Sequence, residues 1–137
     1  MKIVIDTNVF ISGIFFGGYP REVLNQLIEE RFTAFASREI ITEYYEIIDR
    51  MQSKKQGHLN ASLLKLLAQK FSLVDVTSDL KLCRDPDDDI FINCAIDADA
   101  VYIVSGDNDL LDLKAVNKVK IITAKEFVET YLNQIQE

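Results

Sequence analysis

Lys2-Ile3-Val4-Ile5-Asp6-Thr7-Asn8 opens the chain. An unbroken run of β-branched aliphatic residues marks a strand buried on both faces, the kind found in a parallel sheet covered by helices. The run stops abruptly at a carboxylate. In open parallel sheets ligands lie outside the carboxyl ends of the strands, so Asp6 stands where chemistry is expected. A turn or helix cap is the ordinary duty of such an aspartate, but an ionised group at the end of a central strand is costly to bury without a partner. A second run, Val101-Tyr102-Ile103-Val104, leads through Ser105-Gly106 into Asp107-Asn108-Asp109. Gly106 permits an unusual backbone angle or a close approach there.

Outward from these strands, the pattern alternates. Gly13, Gly17, Gly18 and Pro20 read as a loop, followed by a helix over 20–31 carrying Val23, Leu24, Leu27 and Ile28 at helical spacing. A short strand is expected at 32–36. Ser37 caps a helix over 38–51 whose stripe is Ile40, Ile41, Tyr44, Ile47, Ile48 and Met51. Residues 52–60 form a polar loop, and Asn60 caps a helix with Leu63, Leu64, Leu66, Leu67 and Phe71 facing inward. A strand at 73–76, a helix from about Asp89, a short helix over 107–113 and a strand at 120–122 follow. Thr123-Ala124-Lys125-Glu126 is a capping box opening the last helix. No linker or repeat divides the chain, so residues 1–137 form one domain. Strands alternating with helices at this spacing predict an α/β fold, a three-layer α/β/α sandwich around a mainly parallel sheet.

Composition excludes several function classes. At 137 residues and 48% hydrophobic content the chain can bury one sizeable core. Its apolar runs fall far short of the ~20 residues that span a bilayer, and Met1-Lys2 leads straight into a strand, unlike a secretory leader. A soluble, cytoplasmic protein without a membrane partner is expected. Cys83 and Cys94 lack CxxC spacing and read as reduced thiols. His58 is the sole histidine and falls in the polar loop, which leaves no basis for zinc sites of several imidazoles. The formal net charge is −7, yet residues 50–70 contain Arg50, Lys54, Lys55, Lys65 and Lys70 and no acid, leaving −12 for the remainder. A basic arm beside an acidic site suits a polyanion; a solvated, lysine-rich helical hairpin accounts for the charge equally well.

Two further groups of acids deserve weighing against Asp6 and Asp107. Glu43 follows Ile40 by three residues and precedes Ile47 by four, so it borders the apolar stripe, where a snorkelling glutamate is equally at home. Asp85-Pro86-Asp87-Asp88-Asp89 reads as a turn and a charged first helical turn. As an EF-hand loop it fails, because Ile90 and Ile96 occupy the glycine and bidentate-glutamate positions. Asp89, adjoining the packing residues, is expected to face the sheet end, and Asp87 and Asp88 the solvent. Carboxylates converging from distant segments repel one another unless a cation binds between them.

Ile5-Asp6-Thr7-Asn8-Val9, Glu43 on its helix, Asp85 to Ala95, and Tyr102 to Leu111 together resemble the PIN-domain ribonucleases, often the toxin half of toxin–antitoxin pairs. The resemblance covers roughly residues 1–132. It implies a parallel-sheet fold and hydrolysis of single-stranded RNA by water activated by Mg²⁺ or Mn²⁺, leaving a 5′-phosphate. The acid quartet carries over to Asp6, Glu43, Asp89 and Asp107, with Asp109 a companion or substitute for the last. Asp6, Asp89, Asp107 and Asp109 are the implied metal ligands, Glu43 orients the attacking water, and Asn8 and Ser105 support the site. RNA, gripped by Arg50, Lys54, Lys55, Lys65 and Lys70, a cognate antitoxin protein and a second copy in a homodimer are the implied partners. Haloacid-dehalogenase phosphatases also open with a strand and Asp, but need a second Asp where Asn8 stands. A PIN-like module that binds without cleaving is the other alternative.

Overall fold

The computed structural model describes residues 1–132. Four parallel strands form the heart of the sheet: β1 (Lys2–Ile5), β2 (Thr33–Ala36), β4 (Tyr102–Val104) and β6 (Val119–Ile122). Parallel β3 (Phe71–Leu73) and antiparallel β5 (Ala115–Val116) close its two edges, in the order β3-β2-β1-β4-β6-β5. Ile3, Val4 and Ile5 are fully buried, as an all-aliphatic strand covered on both faces requires. The layers are completed by α1 (Thr7–Phe15), α2 (Gly18–Ile28), α3 (Arg38–Ser53), α4 (Ala61–Leu67), α5 (Pro86–Asp97), the short α6 (Asn108–Leu111), and α7 (Ala124–Glu126), which continues as a π-type helix over Phe127–Leu132. This is the expected three-layer α/β/α architecture; residues 133–137 of the predicted domain lie outside the described residues. None of the described helices is long and apolar enough to cross a membrane.

The chain doubles back at β1: β2 runs on one side and β4 on the other, making β1/β4 the topological switch point where such sheets bind ligands. The register pairs Ile5 with Val104, and the Asp6 amide donates to the Val104 carbonyl at 2.9 Å. Asp6 and Ser105 are thereby brought side by side, although 99 residues separate them in sequence.

The element boundaries depart from the periodicity in instructive places. Residues 7–15 form a helix, and Gly13 lies inside it, so the glycine loop expected over 13–20 shrinks to the Phe16–Gly17 junction. Helix α1 buries residues on every side, including Val9, Phe10, Ile14 and Phe15, so it shows no amphipathic stripe. Gly17 and Gly18 alone take the left-handed φ values, +115° and +68°, that turn the chain into α2. Gly13 serves packing instead: a β-carbon there would stand 2.4 Å from Leu24 Cδ1 and 3.0 Å from the Pro20 carbonyl oxygen. Phe71 belongs to β3, its ring edge-on to Phe10 and Tyr44, so the strand comes earlier than the expected 73–76. Helix α5 starts at Pro86 behind the Asp85 cap, three residues before the expected Asp89. That shift matters for the site.

Gly13→Ala is expected to destabilise the protein by about 1–2 kcal/mol, because overpacking against Leu24 outweighs the gain in helix propensity. Urea unfolding checks this; an unchanged or higher midpoint would contradict the close contact of α1 and α2.

Candidate active site

Asp6 occupies the N-cap position of α1 but makes no side-chain capping hydrogen bond. Its Oδ2 accepts from the Ser105 hydroxyl at 2.6 Å, and Ser105 Oγ accepts from the Asp107 amide at 2.9 Å. One buried serine thus ties the ends of β1 and β4 together. Asp107 Oδ1 caps α6 by accepting from the Asp109 amide at 3.0 Å. Asn8 Oδ1 accepts from the Gly106 amide at 3.2 Å, securing the same loop from the α1 side. Helix α3 is anchored where it crosses β1: Tyr44 donates its hydroxyl to the Ile5 carbonyl, and its ring stacks on Phe10 at 4.2 Å. The neighbouring Glu43 therefore faces Thr7, whose hydroxyl donates to its Oε2.

Asp6, Thr7, Asn8, Glu43, Asp88 and Asp107 line an open cleft of about 420 Å³. Of the expected quartet, Asp6, Glu43 and Asp107 meet there; Asp89 does not. Asp89 is 7% exposed, and its Oδ1 accepts from the backbone amides of Leu82 and Cys83 at 3.0 and 2.9 Å. It faces a separate cavity lined also by Ser37, Leu80, Cys83 and Asn93. The acid that α5 turns toward the cleft is Asp88, expected in solvent. The reason is helical phase: adjacent residues differ by about 100°, so one position decides the face. Sequence carried a signal for this, since Asp89, Asn93 and Asp97 recur every four residues as a polar face of α5. All three receive backbone amides of the segment 77–83.

Single oxygens of Asp88, Asp107 and Asp109 lie within 4.8 Å of one another. With Asp6 alongside, this all-carboxylate set fits a hard divalent cation, which takes oxygen ligands and tolerates a shared, partly hydrated site. Without one, the charges are strained. Burial raises the Asp6 carboxyl to about 6; hydrogen bonds from Ser105 and the Thr7 amide oppose that rise, while Asp107 and Glu43 add to it. Asp88 is pushed up to about 7, by burial first and then by the charge of Asp107 and a hydrogen bond to it. The Cys83 thiol is raised to about 12, chiefly by burial and then by its hydrogen bond to Asp89, which favours the neutral form. Both cysteines are free, and His58 is an exposed loop residue.

The basic residues divide. Arg50, Lys54 and Lys55 are exposed at the end of α3, whose Ile47 and Met51 line the cleft, and Lys65 is exposed on α4. Lys70 is engaged instead, 2.7 Å from Glu30. Sequence reasoning also overlooked Arg84, whose Nη2 lies 3.0 Å from Asp109 Oδ1.

Asp89→Ala is expected to destabilise the fold by about 1–3 kcal/mol, because two amides lose their buried acceptor, whereas Asp88→Asn leaves the urea midpoint unchanged or raised. Equal losses for the two variants would contradict this division of α5. The raised Asp6 carboxyl sets a pH dependence. Its protonated form is favoured in the folded state, so that stability is present below the unfolded value near 3.8 and is lost as pH rises through about 6. In chelator, Asp6→Asn should therefore stabilise the protein by up to about 3 kcal/mol near pH 8 and by roughly half that near pH 5. Thermal unfolding at both pH values reads the difference; a gain independent of pH would refute the buried charge.

Residues 2–109 match the sequence model of the PIN domain. The chain is 36% identical over 145 aligned residues to an uncharacterized protein of Methanocaldococcus jannaschii, with 96% of this chain and 92% of that protein covered. Its fold is similar to that of VapBC2 from Rickettsia felis, solved bound to a DNA fragment from the promoter, with a TM-score of 0.60 at 16% identity over 88% of this chain and 97% of that one. At that identity the likeness concerns the fold alone. The matched span holds the strand ends and the acidic cleft, and the chain belongs to the PIN domain family.

Proposed function

We propose that the protein is a divalent-metal-dependent ribonuclease that hydrolyses single-stranded RNA to products bearing a 5′-phosphate. The observation that carries this reading is the convergence of Asp6, Glu43, Asp88, Asp107 and Asp109, from four separate segments, on the switch point of a parallel sheet. Asp88, Asp107 and Asp109, with Asp6, hold Mg²⁺ or Mn²⁺. When bound, the cation supplies positive charge against the phosphodiester and makes water more acidic. Asp88 replaces Asp89 in this assignment because its carboxylate faces the cleft.

The chain's own groups do the positioning. Thr7 holds Glu43, leaving the carboxylate directed to orient the attacking water and accept its proton. Ser105 keeps Asp6 aimed into the cleft and in place beside Asp107. Arg50, Lys54, Lys55 and Lys65 gather the polyanion along the α3 end of the cleft; Lys70, paired with Glu30, contributes least. Asn8 is occupied with the Gly106 amide, which speaks against the acid/base role that an aspartyl-phosphate phosphatase needs at that position. Pairing with an antitoxin protein, and assembly as a homodimer, extend this reading to a regulated toxin.

Purified protein with single-stranded RNA and Mn²⁺ tests the activity. Asp6→Asn and Asp88→Asn should each lower cleavage by about 100-fold or more, chelator should abolish it, and Asp89→Asn should lose far less. RNA left intact by the native protein with Mn²⁺, or activity surviving in Asp88→Asn, would overturn the assignment.

A further inference from the structure

The segment joining β3 to α5 has no regular secondary structure, yet α5 fastens it along its length. Asp97 accepts from the Thr77 and Ser78 amides at 2.6 and 2.9 Å. Asn93 accepts from the Leu80 amide at 2.8 Å and donates to the Leu80 carbonyl at 3.1 Å. Asp89 holds the amides of Leu82 and Cys83. On the other side of Arg84, Asp85 caps α5 by accepting from the Asp87 amide at 3.0 Å. Arg84 thus stands between two pinned neighbours. Its side chain is nonetheless 88% exposed, its one ion pair being that with Asp109. Among the described residues this is the only ion pair made by an acid of the cleft group.

We propose that Arg84 is a substrate-binding residue that presents its guanidinium to a backbone phosphate of RNA held in the acidic cleft; the proposal rests on the ribonuclease reading above. An exposed ion pair adds little to stability, so the pair with Asp109 does not by itself account for such a firmly fastened base. A guanidinium matches a phosphate with two parallel N–H donors, and with the backbone already pinned and the tip resting on Asp109 less freedom remains to be lost when that fork is presented. Electrostatics points the same way. A cleft of carboxylates in a chain of net charge −7 repels a polyanion. Among the described residues Arg84 is the cation in direct contact with that acidic group, whereas Arg50, Lys54 and Lys55 are exposed at the end of α3 and do not line the cleft.

The test compares Arg84→Ala and Arg84→Lys in the full chain, after thermal melts confirm folding. Binding of a fluorescent single-stranded RNA is followed by anisotropy in an Asp6→Asn background, so that cleavage does not intrude. Arg84→Ala should weaken binding about 5–10-fold and reduce the log–log salt slope by about one, with Arg84→Lys recovering part of the loss. In the otherwise native protein, KM should rise by a similar factor with a smaller change in kcat. Unchanged affinity and salt slope in Arg84→Ala, with cleavage intact, would overturn this proposal and leave the ribonuclease reading standing. Tighter Mn²⁺ binding by calorimetry with RNA affinity unchanged would overturn it too, making Arg84 a counter-ion to the carboxylates only. Absence of cleavage by the native protein would instead count against the ribonuclease reading, while the anisotropy comparison would still judge Arg84.

Discussion

The parallel pairing of β1 with β4 is what the site hangs on. Two buried strands end level with each other, and the next residue of each contributes a polar side chain: Asp6 on one and Ser105 on the other. Ser105 bonds to the Asp6 carboxylate and to the Asp107 amide at once, so the position of two acids depends on one hydroxyl. Tyr44 brings α3, and Glu43 with it, to the same strand end through the Ile5 carbonyl. Apart from the Ser105–Asp107 bond, these contacts join residues far apart in sequence. Each is a consequence of where the sheet puts β1.

Burial that secures the geometry also loads it with unfavourable charge. Asp6, 4% exposed, is raised to about 6, and Asp88 to about 7, because neither desolvation nor the neighbouring carboxylates favour ionisation. The fold tolerates this strain at the point where a cation would relieve it, as functional sites commonly do at some expense to stability. Helix α5 divides the labour by face. Asp88 turns toward the cleft, while Asp89, Asn93 and Asp97 turn away and hold an otherwise irregular segment by its backbone. Two adjacent, chemically identical residues consequently have different duties.

That pair marks the limit of what could be read from composition and spacing. Asp6 and Asp107 are legible because each follows a strand whose type is plain, and Glu43 because it borders a plain stripe; Asn8 and Ser105 come only from the resemblance to PIN domains. The choice between Asp88 and Asp89 turns on helical phase: α5 begins at Pro86, so both acids lie within the helix about 100° apart, and packing decides which one meets the cleft. The first helix escaped notice for a different reason: buried on all sides, it lacks the one-sided periodicity that announces a surface helix. Spacing alone makes Lys70 a member of the basic arm, but the fold sets it beside Glu30, forty residues earlier in the chain.

Sequence by itself determined the class of the fold, since aliphatic runs specify buried parallel strands, and it supplied the oxygen-only acids that suit a hard cation. Only the tertiary structure decided which carboxylates share that cleft, which basic groups remain available, and that Arg84 stands on its rim. The physical reason is that strand type is a local consequence of side-chain pattern, whereas the direction a helical side chain faces is settled by packing between segments far apart in the chain.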